Sequence, residues 1–428
     1  MSDSDGNGGW GGTDAVGVEQ DASGDSVTET THKSWFQRLL GSLVAALIGL
    51  AMVPGASVLL FWNEGRAVQT ARSLAEGAAG VTAADAGRID PAMEGRLIHV
   101  AGPLAVAKPP ADRDFGLQSG PGTTRLVRRV EMFQWREDSQ SERRTNLGGS
   151  QDTVTTYSYR QVWAADRIDS GRFRQQSGHQ NPTPRYAGTT QTAPEAMLGA
   201  RRISAAQLAG IGEARPLPLD QAMLTLPAGA RIVGDAIYVG ADPERPRIGD
   251  LRIRFEAAAP ASASIVAAQA GDGFAPFATR AGDRLLLTAA GQVPAAEMFH
   301  DAEASNTVLT WILRAVGAVL MLVGFCLLWS PLSTLVSVIP FLETVAGAGA
   351  FLVGLVLTLV LAPTVIAVAW FFYRPLVAAG VLAVGLAGAF AVSRLGASRK
   401  AARPAAMRAA APGPAAAAPA PGRRPWDR

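Results

Sequence analysis

Residues 39–62 read LLGSLVAALIGLAMVPGASVLLFW, with no charged side chain anywhere in the run. About 20 apolar residues cross a bilayer as a helix, and buried helices of soluble domains rarely need so long a stretch. Aromatic pairs at the two ends, Trp35–Phe36 and Phe61–Trp62, suit the two membrane–water interfaces. Gly41, Ala45 and Gly49 recur every four residues and give one helix face a closely packable surface, suited to self-association or to another span of the same chain. Pro54-Gly55-Ala56 has the look of a cleavage region, but the apolar run is too long for a signal peptide and follows a long acidic segment.

Three further stretches, 315–342, 344–373 and 375–393, also lack charge. They predict spans at 306–330, 344–370 and 374–393 after the first at 35–62, with Pro331 and Pro340 breaking 331–343 into an interfacial linker. Residues 1–34 read as a disordered acidic tail, and 394–428 as a basic, Ala/Pro-rich disordered tail. The lone cysteine, Cys326, lies in an apolar run, which excludes an intramolecular disulfide. A net charge of +3 on 428 residues is too small a field to imply nucleic acid. Abundant Ala, Gly and Arg with only Lys33, Lys108 and Lys400 suggests a GC-rich bacterial source.

The polar segment 63–305 predicts a folded domain outside the bilayer. Strand signals occur at 96–106, 125–137, 153–164, 231–239, 250–257, 263–269 and 284–288, with 125–137 and 153–164 forming a hairpin around a long 138–150 loop. Helical patterns fall at 66–78, 203–210 and 294–304. The fold class is an α+β membrane protein: four transmembrane helices and a β-rich antiparallel domain between the first two. Arg394, Arg399, Lys400, Arg403 and Arg408 follow the last span, and Lys33 and Arg38 flank the first. By the positive-inside tendency both termini are cytoplasmic and the domain faces the periplasm of a bacterial inner membrane.

Chemical signatures are sparse. There is no phosphate-binding loop, HExxH helix or GxSxG elbow, and His32, His99, His179 and His300 show no ligand spacing, so no catalytic residue, metal or cofactor is indicated. His179 sits in the rigid turn Gly178-His179-Gln180-Asn181-Pro182, where Asn181 is suited to bonding backbone; a structural turn explains it more simply than a general base. Glu-Gly-Arg occurs twice, at Glu64–Arg66 and Glu94–Arg96. Internal ion pairing is the simpler reading, and a lipid phosphate on Arg66 the alternative. Phe133, Trp135, Tyr157, Tyr159 and Trp163 interleave on the hairpin as core. Trp311, Arg314 and Arg374 sit at span edges, where charge is tolerated; the span interiors lack the ionisable groups of a transport path.

The order of several motifs resembles the LUMA family (transmembrane protein 43). These are Asn63-Glu64-Gly65-Arg66-Ala67, Glu94-Gly95-Arg96-Leu97-Ile98-His99, Val130-Glu131-Met132-Phe133-Gln134-Trp135, Tyr157-Ser158-Tyr159, the Gly178–Pro182 turn, Gly249-Asp250-Leu251-Arg252, Thr310–Arg314 and Phe372–Leu376. They run in sequence order across 35–395 and leave out both tails. The resemblance implies four spans and a large extracytoplasmic domain. It also implies a role organising membrane protein complexes, which in eukaryotic members involves lamin and emerin. No catalytic residues come with it. The expected function is a non-enzymatic scaffold whose partners are the lipid bilayer, other membrane proteins and further copies of itself. The rival is an enzyme acting on lipid or envelope material.

Overall fold

The computed structural model describes residues 14–20, 26–221 and 224–376, together with 379–380, 383–385 and 387. The chain divides into one unit of residues 1–366 and a second of 367–428. The first helix, α1, runs unbroken from Trp35 to Gly80. Ser34 starts it with a reciprocal cap: its hydroxyl accepts from the Gln37 N–H, and the Gln37 side chain accepts from the Ser34 N–H. The span expected at 35–62 and the helix expected at 66–78 are thus one rod. Asn63-Glu64-Gly65-Arg66 marks the end of the apolar surface but not of the helix. None of these residues removes a backbone donor, and a mid-helix glycine costs only about 1 kcal/mol.

The same fusion occurs in α2, Ala295–Leu328, which joins the expected 294–304 helix to the second span. The expected linker at 331–343 is largely helical: α3 covers Ser330–Val336 and α4 starts at Pro340 and continues to Tyr373. Pro331 and Pro340 each stand in the first turn of a helix, where a missing N–H has no partner to lose, so the interruptions are confined to Trp329 and 337–339. Among the described residues, three helical stretches (35–80, 295–336 and 340–373) are long and apolar enough to cross a membrane. Their surfaces are those of lipid-facing helices, with Leu47 and Val58 67% and 68% exposed. The fourth span, 374–393, falls largely outside the described residues, as does the 394–428 tail.

Helices α1 and α2 pack closely. A Cβ on Gly49 would come within 2.5 Å of the Gly324 carbonyl oxygen, and one on Gly317 within 2.6 Å of Leu60. Ala56, Leu60, Met321, Phe325 and Ala362 fill the space among α1, α2 and α4. Part of the small-residue face of the first span is therefore used inside the chain, through Gly49, while a Cβ on Gly41 meets nothing within 4 Å.

Two main sheets carry most of the other described strands. Their principal strands are β1 (Asp14–Gln20), β2 (Ser26–Lys33), β3 (Leu97–Ala105), β4 (Arg125–Thr145), β5 (Gln151–Ala164), β6 (Glu195–Leu198) and β7 (Arg201–Ser204). They continue with β8 (Ala230–Val233), β9 (Ala236–Val239), β10 (Leu251–Ala258) and β11 (Ser262–Ala270). One sheet has the order β1-β2-β5-β4-β10-β9-β8 and the other β7-β6-β3-β11. The helix expected at 203–210 is a single turn, Ala205–Leu208. Ile98, Val100, Leu198, Ile203 and Ile265 form the core of the second sheet, and Leu126, Val130, Ile237, Ile253 and Phe255 that of the first. A third cluster, Leu74, Leu97, Val266, Met298 and Phe299, seats the outer ends of α1 and α2 on β3 and β11.

Two expectations fail in the first sheet. The 138–150 segment is not a long loop: β4 and β5 continue in register to Thr145 and Gln151, leaving only 146–150 as the turn. Nor is 26–33 disordered, since β2 pairs along β5 from Ser26↔Ser158 to Lys33↔Gln151, with β1 on its outer side. Apart from Val27, which packs against Tyr159 and Phe173, both stretches are polar on both faces, so they lack the alternation that marks a half-buried strand. Backbone ladders and cross-strand pairs such as Thr28–Thr156 hold them instead.

The glycine contacts make a prediction. Gly49→Leu should force α1 and α2 apart and lower the unfolding temperature of the detergent-solubilised protein, whereas Gly41→Leu should leave it nearly unchanged. Equal effects at the two positions would contradict the packing.

Candidate functional site: a polar clamp at the membrane boundary

Where α1 leaves its apolar stretch, it presents Asn63, Glu64 and Arg66 to Asn306, Thr310 and Arg314, three positions about one turn apart on α2. Glu64 is 1% exposed, and Arg314 grips it with both arms of its guanidinium, Nε to Oε1 at 2.7 Å and Nη2 to Oε2 at 2.9 Å. This two-pronged geometry is what makes arginine–carboxylate pairs both strong and directional. Arg314 also lies over the Trp311 ring, 4.7 Å from its centroid. Trp311 itself is exposed, in keeping with an aromatic residue at a membrane interface.

A second layer lies one turn outward. Arg66 donates to Asn306 Oδ1 (2.9 Å), Thr310 Oγ1 (3.0 Å) and Asn63 Oδ1 (3.3 Å). Asn63 Nδ2 donates to the Thr310 carbonyl and Asn306 Nδ2 to that of Ala67, so the layer bonds α1 to α2 in both directions. Arg66 is committed to protein partners, and the lipid-phosphate alternative loses its main donor. Neither Glu-Gly-Arg repeat pairs with itself. Glu64 finds its partner 250 residues away, and Glu94 accepts from the Gly271 N–H. The second repeat is a turn that needs Gly95 at φ +71°, while the first is helical. Arg96 is exposed and lines a cleft of about 540 Å³ with Glu76, Phe277 and Arg280.

The remaining candidates disperse. His179 is buried, stacked on Tyr159 at 4.0 Å and edge-on to Trp135, and is not among the cleft residues. Asn181 bonds the Trp135 backbone on both sides, accepting from its N–H (2.7 Å) and donating to its carbonyl (2.9 Å). This pins the 178–182 turn against the hairpin as a structural element. His99 bonds the Val293 carbonyl, and His300 is exposed beside Asp301. Arg374 lies exposed just past α4. No group of three or more His, Cys, Asp or Glu side chains is placed to hold a metal among the described residues.

A second clamp, missed in the sequence, sits at the other end of the apolar stretch of α1. Arg38 donates to Glu343 (2.5 Å), to the Gly149 carbonyl (2.6 Å) and to Ser337 Oγ (3.3 Å), and Trp35 Nε1 donates to the Thr334 carbonyl (3.0 Å). Its partners come from three separate segments. The only sequence signal is a charged residue at each edge of an apolar run.

This architecture, long apolar helices continuing into a β-rich domain, is that of a multi-pass membrane protein. The family model described as Transmembrane protein 43 matches residues 132–375. The rat protein of that name is 34% identical over 370 residues, covering 82% of this chain and 90% of its own length. The human protein is 34% identical over 378 residues (84% and 92%), and a Drosophila melanogaster homologue is 28% identical over 368 residues (84% and 95%). The chain belongs to the transmembrane protein 43 family. No solved structure matches it.

Removing one partner of a buried ion pair strands the other, at a cost of about 3–5 kcal/mol. Glu64→Gln and Arg314→Gln should each lower the unfolding temperature markedly. The double change Glu64→Leu with Arg314→Leu should recover most of that loss, because two apolar groups strand no charge. A double variant as unstable as the sum of the single changes would contradict a purely pairwise clamp.

Proposed function

We propose that the protein is a non-enzymatic membrane scaffold that holds a β-rich domain at a fixed attitude to the bilayer and organises other membrane proteins around it. The observation that carries this reading is the continuity of α1 and α2 from apolar surface into domain core, locked at the boundary by Glu64 and Arg314. A hinge there would let the domain swing; a clamped helix pair transmits position, which is what an organising platform requires. His179 and Asn181 are consumed by packing and by backbone bonds, which supports a structural part for both. The basic residues near the chain ends support a multi-pass placement in a bacterial inner membrane, with both termini cytoplasmic and the outer ends of α1 and α2 in the periplasm.

Crosslinking of full-length protein in native membranes, followed by mass spectrometry, tests this reading. Discrete complexes with other integral membrane proteins, crosslinked through residues 81–294, are expected. A chain that captures no membrane protein but alters lipid composition when overproduced would favour the enzymatic rival.

A further inference from the structure

The end of α1 and the start of β3 frame an open cleft of about 540 Å³, within the roughly 300–1,000 Å³ of small-molecule sites. Small residues carve it: Ala79 and Gly80 close α1, Gly95 precedes β3, and Ala278 faces them. A Cβ on Gly80 or Gly95 would meet nothing within 4 Å. The turn at φ +71° requires glycine at 95. Gly80 has neither a left-handed φ nor a close neighbour, so neither backbone nor packing calls for it, and the space beside it is open. Leu97 and Phe277 supply an apolar wall that continues into the core cluster beneath. Arg96 and Arg280 line the same space, both exposed, and neither guanidinium has a hydrogen-bond or ion-pair partner among the described residues. The neighbouring carboxylates are turned elsewhere. Glu76 accepts from the Arg280 and Ala281 N–H groups, Glu94 from that of Gly271, and Asp283 from Gln69 Nε2 and Thr70 Oγ1.

We infer that this cleft binds a water-borne organic anion, a carboxylate or phosphate carried on an apolar, ring-like body. Arg96 and Arg280 take the anionic end, because guanidinium donors form strong charge-assisted bonds with both groups. The body lies against Phe277 and Leu97, where an aromatic ring gains both burial and ring contact. Water is the source of the ligand. Glu64 marks one face of the apolar slab, and Glu76 stands twelve residues further along α1, a rise of about 18 Å. A headgroup seated in the bilayer does not reach that level. This height rests on the placement of α1 in the bilayer under the scaffold reading; the cleft itself does not. Its lining comes from α1, from the start of β3 and from 277–280, three segments that meet over Leu74, Leu97 and Phe299. Occupancy therefore ties the outer end of α1 to the domain that it carries.

The test titrates full-length protein in phosphatidylcholine nanodiscs, by calorimetry, with phenyl phosphate and with benzoate; inorganic phosphate and benzylamine serve as comparison probes. At least one of the two aromatic anions should bind saturably at a single site, more tightly than either comparison probe. Arg96→Gln and Arg280→Gln should each weaken that binding about tenfold or more, as loss of a charge-assisted hydrogen bond does. Arg88→Gln, exposed but outside the cleft, should leave it unchanged. Gly80→Phe fills the open space with both charges intact and should abolish binding. Ala79→Phe, at the adjacent exposed position, repeats that test if Gly80→Phe lowers the unfolding temperature. No saturable binding of either anion, an equal loss in Arg88→Gln, or full binding in both filled variants overturns the site. Equal binding of inorganic phosphate overturns the apolar body, and equal binding of benzylamine overturns the anionic end. Displacement of the probe by phosphatidylglycerol added to the nanodisc overturns the water-borne source. Crosslinking to membrane proteins reads the scaffold function separately, so failure of the cleft and failure of the scaffold are distinguishable.

Discussion

The architecture depends on the pairing of α1 with α2 and on the carboxylate–guanidinium bond that closes it at the membrane boundary. Apolar side chains gain little by leaving lipid for protein, so helices in a bilayer are joined by close backbone approach and by polar bonds. This chain uses both, in order of depth. Gly49 against Gly324 and Gly317 against Leu60 bring the backbones together within the slab. Glu64–Arg314 and the Asn63–Arg66–Asn306–Thr310 layer then fix rotation and register where the slab ends. Beyond that level the same two helices supply Leu74, Met298 and Phe299 to the core beneath β3 and β11. Membrane anchor and domain therefore share two long helices, α1 and α2.

A buried ion pair at such a site adds less stability than specificity. Desolvating both groups offsets most of their attraction, but any other register of α1 on α2 would strand Glu64 or Arg314. Arg201 is another buried cation, and it lies within the second sheet. It is fully buried, donates to the Asp85 carbonyl and to Gln269 Oε1, and burial pushes its pKa down, with Asp85 opposing. In both places the polar group selects one arrangement among several that burial of apolar surface alone would accept.

Much of this was legible in the sequence. Charge-free runs located the apolar helices, and β-branched and aromatic runs between turn signals located β3, β10, β11 and the inner halves of β4 and β5; β3, β10 and inner β4 bury alternate residues, whereas β11 is buried on both faces. The hairpin tip and β2 were not legible, because strands such as SVTETTHK are held by ladders to neighbours distant in sequence. The unbroken passage of α1 through Asn63–Arg66 was hidden too, since a change from apolar to polar residues records the edge of the slab and not the edge of the helix. The Glu-Gly-Arg repeat shows the limit most plainly. One copy is helical and binds Arg314 across 250 residues, the other is a left-handed turn, and local sequence distinguishes neither.

The central claim, a single rigid helix joining anchor to domain, is tested most directly by one distance. Spin labels at Val58→Cys and Ala78→Cys, in a Cys326→Ser chain reconstituted in lipid nanodiscs, lie twenty residues apart on α1 and bracket the boundary without including Pro54. Pulsed dipolar spectroscopy should give one narrow distribution centred near about 30 Å, the rise of an unbroken helix of that length. A shorter or broad distribution, narrowed by no change at Glu64 or Arg314, would place a hinge at the membrane boundary and contradict the account.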